Sequence, residues 1–151
     1  MIDSRNLNDI RGRDDIVRLV TAFYGTLFDD PVLGPIFRDV AKVDLFRHIP
    51  VFADFWENIL FQTGAYRGGL MAAHIRVHLL EPLDVHHLQR WLDTWETTID
   101  SMFAGPRANH AKVQASRVGV NMFQRLAMFE QQQALMATDN LPNGGLMGRR
   151  R

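Results

Sequence analysis

The fold of this chain depends on one stretch, LMAAHIRVHLLEPLDVHHLQRW, which runs from Leu70 to Trp91. Its first part favours a short helix from Leu70 to His78. Pro82 then keeps this helix from continuing, because proline has no N–H to donate within a helix. Asp84 is a residue type that caps helix starts. The stretch therefore predicts two helices separated by a proline turn, with histidines on the first of them.

Apolar residues recur at helical spacing through most of the remaining chain. Pro31 ends the first long helix, since a residue before proline is kept out of the helical region. Pro50 is expected to kink the second helix or to delay its regular start. No segment alternates as a strand would, so the predicted fold class is all-α. Helices are expected over about 14–29, 43–62, 70–78, 85–103 and 107–136, and the inner face of the last is expected to hold Val113, Val120, Phe123, Leu126 and Ala127.

The domain organisation follows from length and local composition. At 151 residues and 17.3 kDa, the chain fits one domain with a sizeable core. Residues 1–11 are expected to be a flexible lead-in, 12–137 the folded domain and 138–151 a disordered tail. The arginines at the end of that tail, Arg149–Arg151, are interpreted as solvated rather than as a contact to nucleic acid.

Composition excludes several classes of function. Lys and Arg number 17 and Asp and Glu also number 17, so no net charge attracts nucleic acid or an anionic membrane. The chain has no cysteine, which excludes disulfides, thiolate zinc sites, iron–sulfur clusters and thiolate nucleophiles. Charged residues near Met1 and the lack of an apolar run of roughly 20 residues predict a cytoplasmic protein that does not enter the membrane.

The histidines are the best candidates for chemistry, because no phosphate-binding loop or hydrolase motif is present. His74 and His78 are four residues apart and share one helix face. One hypothesis is a two-histidine metal clip completed by another ligand, such as His86 or His87. A second gives a metal to only one of the pair. A third gives both histidines a structural or surface role.

Three other residues suggest a pocket with polar groups at its edge. His48 shares a predicted helix face with aromatic residues, so its imidazole is expected inside; a buried histidine bonded to a backbone carbonyl is the simpler alternative. Tyr24 and Trp91 are also compatible with plain core packing. Together with a histidine on a separate short helix, the three predict an aromatic-lined pocket.

In order and spacing, these elements resemble the truncated haemoglobins, most closely the group III branch, over about residues 12–137. The resemblance implies a shortened globin fold, a two-over-two helical sandwich around haem b. The elements that carry it are Phe23-Tyr24, then Leu33-Gly34-Pro35-Ile36-Phe37, His48 before Phe55-Trp56, and a histidine before Pro82-Leu83, His86-His87-Leu88 and Arg90-Trp91-Leu92.

The resemblance also implies roles for individual residues. His78 is expected to be the proximal iron ligand because its intervals to Leu83 and Trp91 match the family without a gap. His74 is the second candidate, since the run before it also fits. Expected on the distal side are Tyr24, His48 and Trp91, and expected in contact with haem are Phe37, Phe52, Phe23 and Trp56. Pro50, bulky Phe52 and the Gly/Arg tail depart from the family pattern.

The function implied by the resemblance is binding of dioxygen or nitric oxide, with Tyr24 and Trp91 donating hydrogen bonds to the bound ligand. Redox turnover is a further implication: nitric oxide dioxygenation or a peroxidase-like reaction with peroxide, supplied with electrons by an unidentified reductase. The expected assembly is a monomer or a weak dimer. The alternatives are a non-haem histidine metalloprotein and an all-α interaction domain.

Overall fold

The computed structural model describes residues 6–64 and 68–139, and all regular structure in those ranges is helical. The all-α prediction is confirmed. The elements in chain order are α1 (Arg13–Asp29), α2 (Leu33–Pro35), a π-helical turn (Ile36–Val40), α3 (Leu45–Phe61), α4 (Leu70–Leu80), α5 (Val85–Met102) and α6 (Pro106–Asp139).

The long helices form two pairs. Helix α1 packs on α3 and α5 packs on α6, and the pairs are joined by contacts of α1 with α5 and of α3 with α6. Helix α4 belongs to neither pair and packs against α6 and the π-helical turn. Within the described ranges, no helix is both long and apolar enough to cross a membrane.

The core is centred on Trp95 of α5, which is fully buried. Its ring stacks on Trp56 of α3 with centroids 4.4 Å apart and meets Phe23 of α1 edge-on at 4.8 Å. Its indole Nε1 donates to the Ala111 carbonyl of α6 at 3.2 Å. One side chain thus contacts both helix pairs, and its polar atom is satisfied.

Local sequence explains where the helices start. Asp44 caps α3 by accepting a hydrogen bond from the Phe46 N–H. Asp84 caps α5, accepting from the backbone N–H groups of His86 and His87, as predicted. Pro50 is accommodated inside α3.

The predicted inner face of α6 is partly wrong. Val113 and Val120 are 49% and 44% exposed, and Ala127 is exposed as well. Of the predicted residues, Leu126 is buried and Phe123 half-buried. The buried stripe consists mainly of small residues, because α6 approaches its neighbours closely: Ala108, Ala111, Ala115, Gly119, Met122 and Leu126.

Gly119 shows how close that approach is. A Cβ built on Gly119 would lie 2.4 Å from Leu88 Cδ1 of α5. Any side chain at this position would therefore force the two helices apart or displace Leu88. The close contact explains why small residues, rather than the larger valines, occupy the inner stripe.

The predicted flexible lead-in is wrong for its last residues. Ile10 is fully buried in the core. The Asp9 carboxylate accepts hydrogen bonds from the backbone N–H groups of Arg107 and Ala108, at 2.9 Å each. Asp9 thereby caps α6 from far away in the sequence, which periodicity cannot detect. Residues 1–5 and the predicted disorder from 140 onward lie outside the described residues.

Removing this cap tests the arrangement. We expect Asp9→Ala to lower the free energy of unfolding by about 1 kcal/mol or more, because two N–H groups lose their acceptor. Asp9→Asn is the matched control, since it keeps one acceptor oxygen, and its loss should be smaller. Urea denaturation followed by circular dichroism measures both. Equal stability of all three chains would show that Asp9 does not cap α6.

Candidate functional site

An aromatic cluster lies where α1, α3 and the π-helical turn meet. Tyr24 is 7% exposed, and its ring stacks on Phe52 with centroids 4.2 Å apart. Phe37 meets Tyr24 edge-on at 5.8 Å. We call these three residues the Tyr24 cluster. Phe37 and Phe52 are only half-buried, so part of their apolar surface remains available to a ligand.

Two hydrogen-bond donors near this cluster have no acceptor among the described residues. Neither Tyr24 O–H nor Trp91 Nε1–H has a hydrogen-bond partner among residues 6–64 and 68–139. In the same part of the chain, every fully buried side-chain nitrogen or oxygen is paired, so both polar atoms must retain access to solvent or to a ligand. Burial raises the pKa of the Tyr24 hydroxyl, which therefore stays protonated.

Trp91 connects this region to the core. Its ring meets Phe23 edge-on at 5.7 Å and lies nearly parallel to Trp95 at 6.3 Å. Unlike Trp95, it is only half-buried. The capped start of α5 places Trp91 two turns into a rigid helix, so its N–H has a well-defined position.

His74 on α4 has one nitrogen bonded and one free. Its Nδ1 lies 2.7 Å from the Leu70 carbonyl oxygen, and since a carbonyl only accepts, Nδ1 carries the proton. Burial lowers the pKa of His74 and outweighs the opposing effect of the Leu70 bond, so the ring is neutral at pH 7. Nε2 then carries a lone pair, with no partner in the described part of the chain.

His48 on α3 is bonded in the same way. Its Nδ1 lies 2.8 Å from the Asp44 carbonyl oxygen, one helical turn earlier. The side chain is half-buried, and its ring centroid is 5.8 Å from that of Phe52. His48 therefore lies beside the Tyr24 cluster, with Nε2 unpaired by the described residues.

His78 differs from both of these histidines. The Leu83 N–H donates to His78 Nδ1 at 2.9 Å, so Nδ1 carries no proton. Nε2 must then be the protonated nitrogen, and it donates to Glu130 Oε1 of α6 at 2.6 Å. A proximal His78 would be expected to donate its second N–H to a carbonyl, but its Nε2–H donates to a carboxylate instead. In α4 the N–H donated to a carbonyl is found at His74.

The histidines do not assemble a metal site without a cofactor. Across residues 6–64 and 68–139, no three His, Cys, Asp or Glu side chains are grouped closely enough to hold a metal ion. His86 is exposed, and His87 Nδ1 accepts from the Asp84 N–H in the α5 capping box. The hypothesis of a clip made by His74 and His78 with a third ligand is therefore not supported.

No family model matches the chain, and no curated protein matches it in sequence. The crystal structure of group III truncated hemoglobin from Campylobacter jejuni superposes on it with a TM-score of 0.70 and 21% identity, covering 80% of this chain and 94% of that one. The chain has the truncated-haemoglobin fold.

This fold confirms the predicted two-over-two arrangement, with α1 and α3 packed against α5 and α6. Helix α4 belongs to neither of these two pairs. Helix α4 packs on α6 and on the π-helical turn, with no comparable contact to α3 within the described ranges. His48 on α3 and His74 on α4 are therefore carried by two helices that do not pack on each other.

The residues present fit a flat apolar ligand that binds through a metal. His74 offers a neutral imidazole whose Nε2 lone pair no described residue engages, and Phe37 and Phe52 offer half-buried ring surface. Tyr24 and Trp91 offer donors that have no acceptor within residues 6–64 and 68–139. These are the three kinds of group that a haem site requires.

Two of the expected haem contacts belong instead to the core. Phe23 is fully buried and Trp56 is 2% exposed. Side chains without accessible surface cannot touch a cofactor unless the core rearranges. Phe23 packs against Tyr24, Trp91 and Trp95, and Trp56 stacks on Trp95, so both residues belong to the core.

The roles of two further residues, as partners of His78, were not predicted from the sequence. Leu83 supplies the backbone donor to His78, and Glu130 supplies its acceptor. Glu130 lies 52 positions from His78, in a run of glutamines, so no local pattern marks it. Only the packing of α6 against α4 brings the pair together.

The lowered pKa of His74 predicts an acid-dependent loss of stability. Above the ordinary value of 6.5 the folded and unfolded chains are both neutral at this residue. As the pH falls below 6.5, the unfolded chain takes up a proton that folded His74 resists, so unfolding becomes easier by up to about 1.4 kcal/mol per pH unit.

His74→Gln tests this source of acid sensitivity. The variant should lose less stability than the wild type between pH 7 and about pH 5.5, because glutamine does not titrate. Urea denaturation of the ligand-free chains at both pH values gives the comparison. An equal loss in the two chains would show that His74 is not protected from protonation.

Proposed function

We propose that this chain is a haem b protein that binds dioxygen or nitric oxide. The observation that carries the proposal is the state of His74: a neutral imidazole whose Nδ1–H is held by the Leu70 carbonyl and whose Nε2 has no partner among the described residues. Histidines that bind metals commonly donate their second N–H in this way, which fixes the tautomer and the ring orientation. The truncated-haemoglobin fold provides the context.

We place the proximal role on His74 rather than on His78. Sequence intervals favoured His78, with His74 second. The hydrogen bonds favour the reverse order, since His78 Nδ1 accepts from Leu83 and Nε2–H is engaged by Glu130. To offer a lone pair at Nε2, His78 would have to lose both partners, whereas His74 needs no change.

Haem, when bound, supplies an iron that binds small diatomic ligands, and the chain supplies the surroundings. His74 would hold the iron, while Phe37 and Phe52 would cover apolar surface of the porphyrin. Their half-buried rings would lose contact with water on binding, which favours retention at roughly 25 cal/mol per Å² of apolar area.

Tyr24 and Trp91 are the proposed donors to the small ligand. Tyr24 is held protonated by burial, and neither donor has a competing acceptor in the described part of the chain. Hydrogen bonds in a site with little water are stronger than the same bonds in solvent. A ligand with partial negative charge on its outer atom would therefore leave slowly. His48, next to Phe52, is proposed to line the entry to the same space.

Slow release also suits redox turnover, which is the finer part of the proposal. One nitric oxide, one dioxygen and one electron together make one nitrate ion. A site that retains dioxygen until nitric oxide arrives favours this reaction over reversible carriage. A separate reductase would supply the electron. Peroxidase-like turnover would use the same two donors to polarise the O–O bond of peroxide.

Replacing the proposed iron ligand tests the assignment. His74→Gly should lose the ferrous five-coordinate histidine spectrum, and added imidazole should restore it, because the small molecule occupies the space of the missing ring. The absorption spectrum of the haem-reconstituted chain is the measurement. His78→Gly is the matched control from the same helix, and it should keep the five-coordinate histidine spectrum without added imidazole. The opposite pattern in the two variants would return the role to His78.

The distal donors are tested by ligand release. Tyr24→Phe keeps the ring stacked on Phe52 but removes the hydroxyl, so the dioxygen dissociation rate should rise roughly tenfold for the loss of one hydrogen bond. Stopped-flow mixing of the oxygenated protein with carbon monoxide measures this rate. Trp91→Phe should act in the same direction. A rate unchanged by Tyr24→Phe would remove that hydroxyl from the proposal.

A further inference from the structure

His78 is the only buried side chain of α4, although it is polar. It is 6% exposed, while its neighbours Leu79 and Leu80 are 64% and 72% exposed. A helix normally anchors itself through apolar side chains. Helix α4 instead turns two of its leucines outward and buries an imidazole.

Both nitrogens of that imidazole are bonded, and to different parts of the fold. Nδ1 accepts from Leu83 in the link between α4 and α5, and Nε2–H donates to the Glu130 carboxylate on α6. The bond to Glu130 is short, at 2.6 Å, as expected for a donor to a charged acceptor. His78 thus ties the last turn of α4 to two elements at once. We call these three residues the His78 bridge.

Within the described ranges, the other contacts that hold α4 come from partly buried side chains. It follows Gly68 and Gly69, which both have positive φ, and it ends just before Pro82. Its packing partners are α6 and the π-helical turn, and within the described ranges it makes no comparable contact with α1, α3 or α5. Without the His78 bridge, α4 would be held mainly by partly buried side chains such as Val77.

We propose that His78 is a positioning residue: by bridging Leu83 and Glu130, it fixes the place of α4 and hence of His74, one helical turn earlier. The inference rests on the proposed function, in which His74 Nε2 holds the iron. It assigns the two histidines different tasks, one as the ligand and the other as the anchor of the helix that carries the ligand. The assignment follows from which nitrogen of each ring is protonated.

The bridge is tested first in the ligand-free full chain. His78→Leu should speed amide hydrogen exchange in α4 by roughly tenfold or more, because it removes both hydrogen bonds of the bridge. Glu130→Ala should have a smaller effect, because it removes only the bond to a carboxylate whose side chain is 59% exposed. The double variant should be no faster than His78→Leu alone, since the two changes break the same bond. His78→Gln keeps a side-chain N–H donor and should recover part of the protection. Glu96→Ala, at an exposed position on α5, is the control.

The positioning role is tested in the haem-reconstituted chain. His78→Leu should keep the iron–histidine stretching band in resonance Raman spectra, shifted or broadened, and should release haem roughly tenfold faster. Glu130→Ala should give the same changes to a smaller extent, although it touches neither His74 nor the expected haem contacts. A role in general stability alone would leave the band unmoved.

Three results would overturn the proposal. Loss of the iron–histidine band in His78→Leu would make His78 the ligand. Independent, multiplying effects of the two single changes on exchange would show that the bond to Glu130 is not formed. An unmoved band would show that the His78 bridge does not affect how His74 holds the iron. A wild-type chain that takes up no haem would instead overturn the proposed function, and the exchange data would still report whether the bridge exists.

Discussion

The burial of Trp95 is the constraint on which the rest of the structure depends. Its ring contacts Trp56 of α3 and Phe23 of α1, and its N–H is satisfied by the Ala111 carbonyl of α6. An indole of this size can be enclosed only if all four helices converge at one depth. The same convergence sets the position of Trp91 one turn earlier on α5. The hydrogen-bond donors of the site are therefore carried by helices whose positions are set by the core.

The two histidines of α4 show that spacing alone does not assign a role. His74 and His78 share a helix face, but one is bonded to a carbonyl and the other to a backbone N–H. A carbonyl leaves the distant nitrogen as an acceptor, whereas a backbone donor leaves it as a donor. The chemistry available at each ring is thus decided by a single neighbour. For His78 the result is a bond to Glu130. For His74 it is an Nε2 lone pair that no described residue engages.

The sequence predicted the helices and their order because periodic apolar residues and capping aspartates such as Asp84 are local signals. It also singled out Tyr24 and Trp91, whose donors have no acceptor in the described part of the chain. It misplaced Val113 on the inner face of α6, since a stripe of alanines and glycine carries a weaker hydrophobic signal than a valine. It could not show the caps and bridges made across the fold. Asp9 and Glu130 act on residues far away in the sequence, and only packing brings those partners together.

The contact between Gly119 and Leu88 has a consequence for how such a chain can change over time. A methyl group of Leu88 occupies the space where any larger residue at 119 would begin, and Trp91 stands one turn further along α5. Any side chain at Gly119 would have to displace the Leu88 side chain from its place one turn before Trp91 on α5. We therefore expect the residue tolerated at position 119 to depend on the size of the residue at position 88.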